Sequence, residues 1–229
     1  MKLGEALSLA IDRGQFHGPG NDRRAAGGSK LLRTVGGERK GSRSGRRVRI
    51  VISEREPLRF LEILAAALRE GHHVFLANPD WKETEWRSAE EQVRPDAIWK
   101  DGKLTLVEKE EKEIDFREGE DVYVGVPTGG TGGRIRFALH TESTFTAAVD
   151  GFRRFFGVER IDSTCLLPLF HVSGLMQVMR ALFTGGAVRF APLPFRPGDA
   201  LPFPADENSA FVSLVPTQLR RFLDSASSL

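Results

Sequence analysis

The residue types best suited to chemistry lie in one glycine-rich segment between two strand-like runs. Residues 126–141 read VPTGGTGGRIRFALHT, in which four glycines alternate with Thr128 and Thr131. Glycine lets successive backbone amides approach a ligand, and threonine hydroxyls add further donors. Arg134 and Arg136 would supply positive charge through guanidinium groups suited to paired phosphate contacts. The segment therefore predicts a phosphate-binding loop.

Two common phosphate motifs do not fit this segment. A P-loop would need a lysine after Gly130, where Thr131 stands, and a dinucleotide fingerprint would need a third glycine in place of Ile135. A flexible hairpin turn whose threonines bind nothing is the alternative interpretation. The loop residues alone leave both interpretations open.

Two further segments follow the loop: LLPLFHVSGLMQVMRALFTGG at 166–186 and VSLVPTQLRRFL at 212–223. The three segments, in order and spacing, resemble the adenylate-forming acyl-CoA synthetase (AMP-binding) family. That family's loop reads Ser/Thr, Ser/Gly, Gly, Thr, Thr/Ser, Gly, any residue, Pro, Lys, Gly. The chain matches from Thr128 to Gly133 and then departs, with Ile135 for proline, Arg136 for lysine and Phe137 for glycine.

Within the family, the arginine-bearing loop and residues 168–181 look most like 2-succinylbenzoate–CoA ligases of menaquinone and phylloquinone biosynthesis. VFLANPDWKETEW, residues 74–86, fits the same subgroup. Such enzymes join a carboxylic acid to ATP, release pyrophosphate, and pass the acyl group from the adenylate to CoA. The resemblance therefore implies ATP, CoA and a small-molecule carboxylate as binding partners.

The resemblance also implies roles for individual residues. Arg136 would be the catalytic counterion in place of lysine. His171 would line the junction of ATP and acyl substrate, either orienting the carboxylate or neutralising charge. Ser173 and Gly174 would bind substrate at a helix N-terminus, where Ser173 also suits an N-cap. The loop residues expected to bind the β- and γ-phosphates are Thr128, Gly129, Gly130, Thr131, Gly132 and Gly133.

No metal site is visible in the sequence. Mg²⁺ would accompany the nucleotide, but no carboxylate ligand for it can be identified. His72, His73 and His140 show no spacing typical of metal ligands and are predicted to be structural.

Composition indicates a soluble protein of 229 residues with 40% hydrophobic and 28% charged residues. The single cysteine, Cys165, excludes an internal disulfide, favours the cytoplasm and is expected in the core. No apolar run approaches the ~20 residues of a membrane span. The sequence does not indicate an oligomeric state.

The positive charge is concentrated in one segment. Between Gly18 and Arg49 there are ten Lys or Arg against two Asp or Glu. Residues 18–46 are rich in Gly, Arg and Ser and predict a mobile loop or linker. Polyanion binding is the alternative, although the absence of interleaved aromatic residues disfavours nucleic acid.

The remaining pattern alternates strands and helices, which predicts an α/β fold of layered, largely parallel sheets. Residues 1–17 predict an N-terminal helix, and residues 47–229 a partial AMP-binding N-terminal domain. KETEWRSAEEQVR (82–94) predicts an exposed helix and TCLLPLFH (164–171) a strand. One apolar stripe is expected on the helix over 142–157, comprising Phe145, Ala148, Val149, Phe152, Phe155 and Phe156.

The family's later segments do not occur before Leu229: the aromatic-Gly-x-Thr-Glu loop, the ribose-binding aspartate and the C-terminal lid domain with its catalytic lysine. We therefore expect this polypeptide alone to show weak or no catalysis. A non-catalytic nucleotide- or phosphate-binding remnant, and a ligase for another aromatic or fatty acid, remain alternatives.

Overall fold

The computed structural model describes residues 2–18, 47–108, 121–128, 134–192 and 210–226. Residues 19–46, which form nearly all of the predicted Gly/Arg-rich linker, lie outside the described residues. The linker and its possible polyanion binding therefore stay predictions.

Helices and strands alternate along the described chain. The helices are α1 Leu3–Asp12, α2 Pro57–Arg69, α3 Glu83–Val93, α4 Glu142–Phe156, α5 Val172–Thr184 and α6 Pro216–Ala226. The strands are β1 Phe16–His17, β2 Arg49–Ser53, β3 His73–Leu76, β4 Ala97–Lys100, β5 Lys103–Leu106, β6 Val124–Thr128, β7 Arg136–His140, β8 Asp162–Cys165, β9 Val188–Phe190 and β10 Ala210–Val212. None of the helices in these described ranges is long and apolar enough to cross a membrane.

The strands form two sheets. The larger has the order β5-β4-β2-β3-β6-β7, with β4, β2, β3 and β6 parallel and the two edge strands antiparallel to their neighbours. The smaller is fully parallel, in the order β1-β9-β8-β10. The predicted α/β class with layered, largely parallel sheets is confirmed.

The central strand β2 is buried on both faces, as its continuous apolar sequence requires in a parallel sheet. Ile50 and Ile52 belong to the main core, which contains residues from both sheets and from α1, α2, α4 and α5. Val51 belongs to a second cluster on the other face, with Trp86 and Val93 of α3. The prediction of an exposed α3 is therefore wrong for one face of that helix.

The apolar stripe predicted on α4 is only partly correct. Phe145 and Val149 are buried, whereas Ala148 is exposed and Phe155 and Phe156 are 82% and 50% exposed. At about 100° per residue, Phe155 is rotated by roughly 80° from Phe145, which takes it off the buried face. Phe156 lies on that face but in the last turn of the helix, beyond the main core.

The segment TCLLPLFH is a strand only as far as Cys165, and residues 166–170 form a turn. Pro168 lacks the N–H that a continuing strand would need.

Cys165 is buried as predicted, and its thiol donates to the carbonyl of Leu167 at 3.3 Å. Burial raises the pKa of Cys165 to about 11, so the thiol is not a nucleophile at neutral pH.

Candidate functional site

The β6–β7 hairpin brings together two of the predicted site residues. Thr128 ends β6 and Arg136 begins β7, and the two are paired across the hairpin. The Thr128 hydroxyl donates to the Arg136 carbonyl at 3.3 Å, and both side chains are exposed. The loop residues between them that were predicted to bind phosphate lie outside the described residues: Gly129, Gly130, Thr131, Gly132 and Gly133. Their role stays a prediction.

The segment that leaves the loop is attached to α3. Ile135 is buried, and its N–H donates to Ser88 Oγ at 3.1 Å. Its carbonyl accepts a hydrogen bond from Gln92 Nε2. Two residues further on, the Phe137 ring meets Phe75 edge-on, with centroids 5.2 Å apart. Ile135 and Phe137, two of the departures from the family loop, are therefore the residues that hold this segment in place.

The two arginines of this segment are exposed, unlike the residues that alternate with them. Side chains of an extended segment alternate between its two faces, so Arg134 and Arg136 project away from Ile135 and Phe137. In the described part of the chain, neither guanidinium forms an ion pair with a carboxylate. Among the described residues, no carboxylate therefore occupies the place that an anion would take beside either guanidinium.

Gly125 in β6 supports the same packing. A Cβ atom at this position would lie 2.4 Å from Cδ1 of Phe75, far inside van der Waals contact. The absence of a side chain lets the Phe75 ring lie across β6 and reach Phe137. The glycine thus contributes to the position of β7.

The carboxyl ends of the parallel strands, where ligands bind in open α/β sheets, carry one buried carboxylate that sequence reasoning missed. Glu54 Oε1 accepts the N–H groups of Arg55 and Glu56, and Oε2 accepts Trp99 Nε1 at 3.2 Å. Arg55 also pairs with Asp80, which lies in the turn after β3. Because the Glu54 oxygens already have these donors, its role is to fix the loop after β2.

His171 is the N-cap residue of α5, at the carboxyl end of β8 and its turn, and makes no side-chain capping bond. Its ring lies 4.6 Å from that of Phe170. Partial burial lowers the pKa of His171, so the imidazole is neutral at pH 7. Ser173 is not the N-cap: it is the second helical residue and is exposed, which corrects the sequence prediction.

Gly174 is buried where the turn packs on the first helical residues. A Cβ atom there would lie 2.2 Å from the carbonyl oxygen of Pro168 and 2.8 Å from that of Leu167. Packing alone therefore requires glycine at this position. Its predicted contact with substrate is not needed to explain the residue and stays a prediction.

The predicted site residues form two groups in different sheets. Thr128 and Arg136 lie in the larger sheet, whereas His171, Ser173 and Gly174 lie beside the smaller one. Among the described residues, no hydrogen bond or ring contact joins the two groups. A cavity of about 780 Å³ opens at the opposite, amino-terminal edge of the larger sheet and contains none of them.

The described residues also contain no group of three or more His, Cys, Asp and Glu side chains that could hold a metal ion. Mg²⁺ usually keeps several waters and binds through one or two carboxylates together with substrate phosphates, so its predicted accompaniment of the nucleotide stays a prediction.

A parallel α/β sheet that ends in a glycine-rich hairpin with exposed positive charge is typical of nucleotide-binding proteins. The chain matches the AMP-binding enzyme family over residues 38–229 and belongs to that family. No curated protein sequence matches it.

Solved structures of adenylate-forming enzymes share the fold. E. coli MenE with bound OSB-AMS has a TM-score of 0.64 at 20% identity, covering 99% of this chain and 52% of that one. Bacillus subtilis o-succinylbenzoate CoA synthetase (MenE) with the acyl-adenylate intermediate OSB-AMP has a TM-score of 0.68 at 15% identity, covering 98% and 64%. The N-terminal domain of Mycobacterium tuberculosis FACL13, in an inhibitor-bound structure, has a TM-score of 0.62 at 16% identity. The match covers 84% of this chain and 57% of that one. The chain therefore spans about half to two thirds of the length of these structures.

Proposed function

We propose that this chain supplies the phosphate-binding part of an ATP-dependent acid–CoA ligase. The ligase would convert a carboxylic acid and ATP to an acyl-adenylate and pyrophosphate, and then transfer the acyl group to CoA. The observation that carries the proposal is the exposed Arg136, which pairs with no carboxylate among the described residues and is held opposite Thr128 at the carboxyl end of β6 in a chain of the AMP-binding family.

The physical demand of the first step is stabilisation of phosphate charge. As the carboxylate oxygen attacks the α-phosphorus, the bond to the pyrophosphate oxygen breaks and negative charge develops on the leaving group. A guanidinium already in place stabilises that charge without reorganising solvent, and Arg136 is suited to this role. Thr128 would contribute its hydroxyl, whose 3.3 Å bond to the Arg136 carbonyl is long and costs little to replace.

His171 would act on the carboxylate. Because its pKa is lowered by burial, the neutral ring has one N–H donor and one acceptor. The His171 N–H would donate to one oxygen of the substrate carboxylate and so orient the other oxygen, the nucleophile, toward the α-phosphorus. Because the ring is neutral, it would not pair the carboxylate with a full positive charge.

For the acid itself we propose 2-succinylbenzoate. The support is the resemblance of the loop and of residues 168–181 to that subgroup, together with the fold shared with two MenE structures. Another aromatic or fatty acid is the competing substrate class. A second candidate function is nucleotide binding without turnover, for which the exposed Arg136 held opposite Thr128 would be sufficient.

Calorimetric titration of ATP into the chain tests the proposal. Arg136→Ala should weaken binding about tenfold or more, since a charge-assisted contact to phosphate is lost. Arg87→Ala is the matched control, because Arg87 is an exposed arginine of α3 that pairs with Glu83. Absence of ATP binding by the wild-type chain, or equal effects of the two variants, would refute the proposal.

A pyrophosphate-release assay with a panel of acids then separates the candidates. Release with 2-succinylbenzoate supports the full proposal, and release only with another acid replaces the substrate. Because this polypeptide alone is expected to show weak or no catalysis, ATP binding without release selects the non-catalytic candidate only if release is also absent when the later family segments are supplied.

A further inference from the structure

We infer that Ser88 and Gln92 of α3 are positioning residues that fix Arg134 and Arg136 by holding the backbone of Ile135. Ser88 would take over the role of the proline that the family has at the Ile135 position. The nucleotide-binding consequence rests on the proposed function, whereas the backbone contact does not.

The contact has a specific geometry. Ser88 and Gln92 are four residues apart on α3, so they lie on the same face, one turn apart. Ser88 Oγ accepts the Ile135 N–H at 3.1 Å, and Gln92 Nε2 donates to the Ile135 carbonyl. Both backbone polar groups of a single residue are thus held by one helix, immediately before β7 begins.

The replacement of proline by isoleucine creates the need for this contact. Proline would fix its own φ angle and has no N–H to satisfy. Ile135 is only 9% exposed and carries an N–H that must find a partner when buried. The Ser88 hydroxyl satisfies that N–H and restricts the backbone where proline would have restricted it.

The contact also decides where the positive charges lie. With Ile135 bound to α3 and Phe137 packed on Phe75, the alternation of an extended segment sends Arg134 and Arg136 to the opposite side. Loosening Ile135 would leave both charges in the chain but would remove their fixed position. Phosphate binding would then be weakened, because the side chains would have to be ordered when the ligand binds.

The first arm of the test needs no nucleotide. Hydrogen exchange of the Ile135 amide, followed by NMR, should become about five- to tenfold faster in Ser88→Ala, which removes one hydrogen bond. Ser88→Thr retains the hydroxyl and should exchange as the wild type does. Arg87→Ala, a change at the neighbouring exposed position of α3, should leave the rate unchanged. An unchanged rate in Ser88→Ala would overturn the inference.

The second arm is a double-mutant comparison with ATP. Ser88→Ala should weaken ATP binding about three- to tenfold in the wild-type background, and Gln92→Ala should act in the same direction. In an Ile135→Pro background the N–H is gone and the ring fixes the backbone, so adding Ser88→Ala should change nothing further. Ile135→Pro should also restore the affinity that Ser88→Ala loses.

Each result has a defined meaning. Faster exchange of the Ile135 amide with unchanged ATP affinity would overturn the inference that Ser88 positions the two arginines. If Ser88→Ala weakened ATP binding as much in the Ile135→Pro background as in the wild type, the inference that Ser88 takes over the role of proline would be overturned. If the wild-type chain binds no ATP, the proposed function fails, and the exchange arm still decides whether Ser88 holds Ile135.

Discussion

Replacing Gly174 by alanine tests whether the turn before α5 is held by packing. The added Cβ would lie 2.2 Å from the Pro168 oxygen and 2.7 Å from its carbonyl carbon, where contacts under 3.0 Å are essentially never found. Both obstacles are backbone atoms, which cannot rotate away as a side chain would. The turn must therefore move by roughly 0.8 Å or more relative to α5.

Two opposing effects set the magnitude. Overpacking of this kind costs about 1–3 kcal/mol. Alanine in a helix gains up to about 1 kcal/mol over glycine. Because the obstacles are backbone atoms, we take the clash at about 2–3 kcal/mol, the upper part of its range. Subtracting about 1 kcal/mol of helix propensity, we expect Gly174→Ala to lower the free energy of unfolding by about 1–2 kcal/mol, which is roughly 2–8 °C in Tm for a chain of this size.

Gly151→Ala is the matched control. Gly151 also lies in a helix, α4, but nothing lies within 4 Å of an added Cβ. Only the propensity gain remains, so this variant should be more stable by about 0.5–1 kcal/mol. Urea unfolding followed by circular dichroism measures both variants under the same conditions. The reasoning is refuted if both substitutions stabilise the chain, or if Gly174→Ala changes its stability by less than about 0.5 kcal/mol.

Three further predictions concern charge and exposure. Burial is the main cause that lowers the pKa of His73 to about 4, so its ring stays neutral in the folded chain while the unfolded chain takes up a proton below about pH 6.5. Stability should therefore be highest above pH 6.5 and fall by up to roughly 3 kcal/mol as pH drops toward 4; urea unfolding of His73→Phe over the same range should show a flatter profile. Asp162 accepts the Ala187 N–H at 2.7 Å, so urea unfolding of Asp162→Ala should show a loss of about 1–3 kcal/mol. Phe155→Ser, at an 82% exposed position, should leave stability within about 0.5 kcal/mol and reduce binding of a hydrophobic dye, whereas Phe145→Ser should unfold the chain at much lower urea.

The larger elements were predictable because their signals are local and repeated. α2 combines a proline at its start with dense apolar spacing, and β2 and β3 are short, continuous apolar runs. In contrast, β1 has only Phe16 and His17 and exists through pairing with β9, more than 170 residues away. No pattern within two residues could indicate that contact.

The surroundings of the predicted site residues could not be predicted in detail. The loop sequence indicated that Ile135 and Phe137 depart from the family, yet only the fold shows that they bind α3 and Phe75. Ser173 has the better propensity for an N-cap, but the turn at 166–170 makes His171 the first residue before the helix. Packing between distant segments decided the first case, and the adjacent turn overrode the N-cap preference of serine in the second.

The position of β7 at the end of its sheet has a further consequence for the arginine that begins it. An outer strand offers its backbone groups to strands of other molecules, and this one also carries Leu139, which is 54% exposed. Charged side chains on such a strand oppose intermolecular pairing through mutual repulsion. Arg136 should therefore act as a gatekeeper against aggregation, and removing it should make concentrated solutions of the protein precipitate more readily.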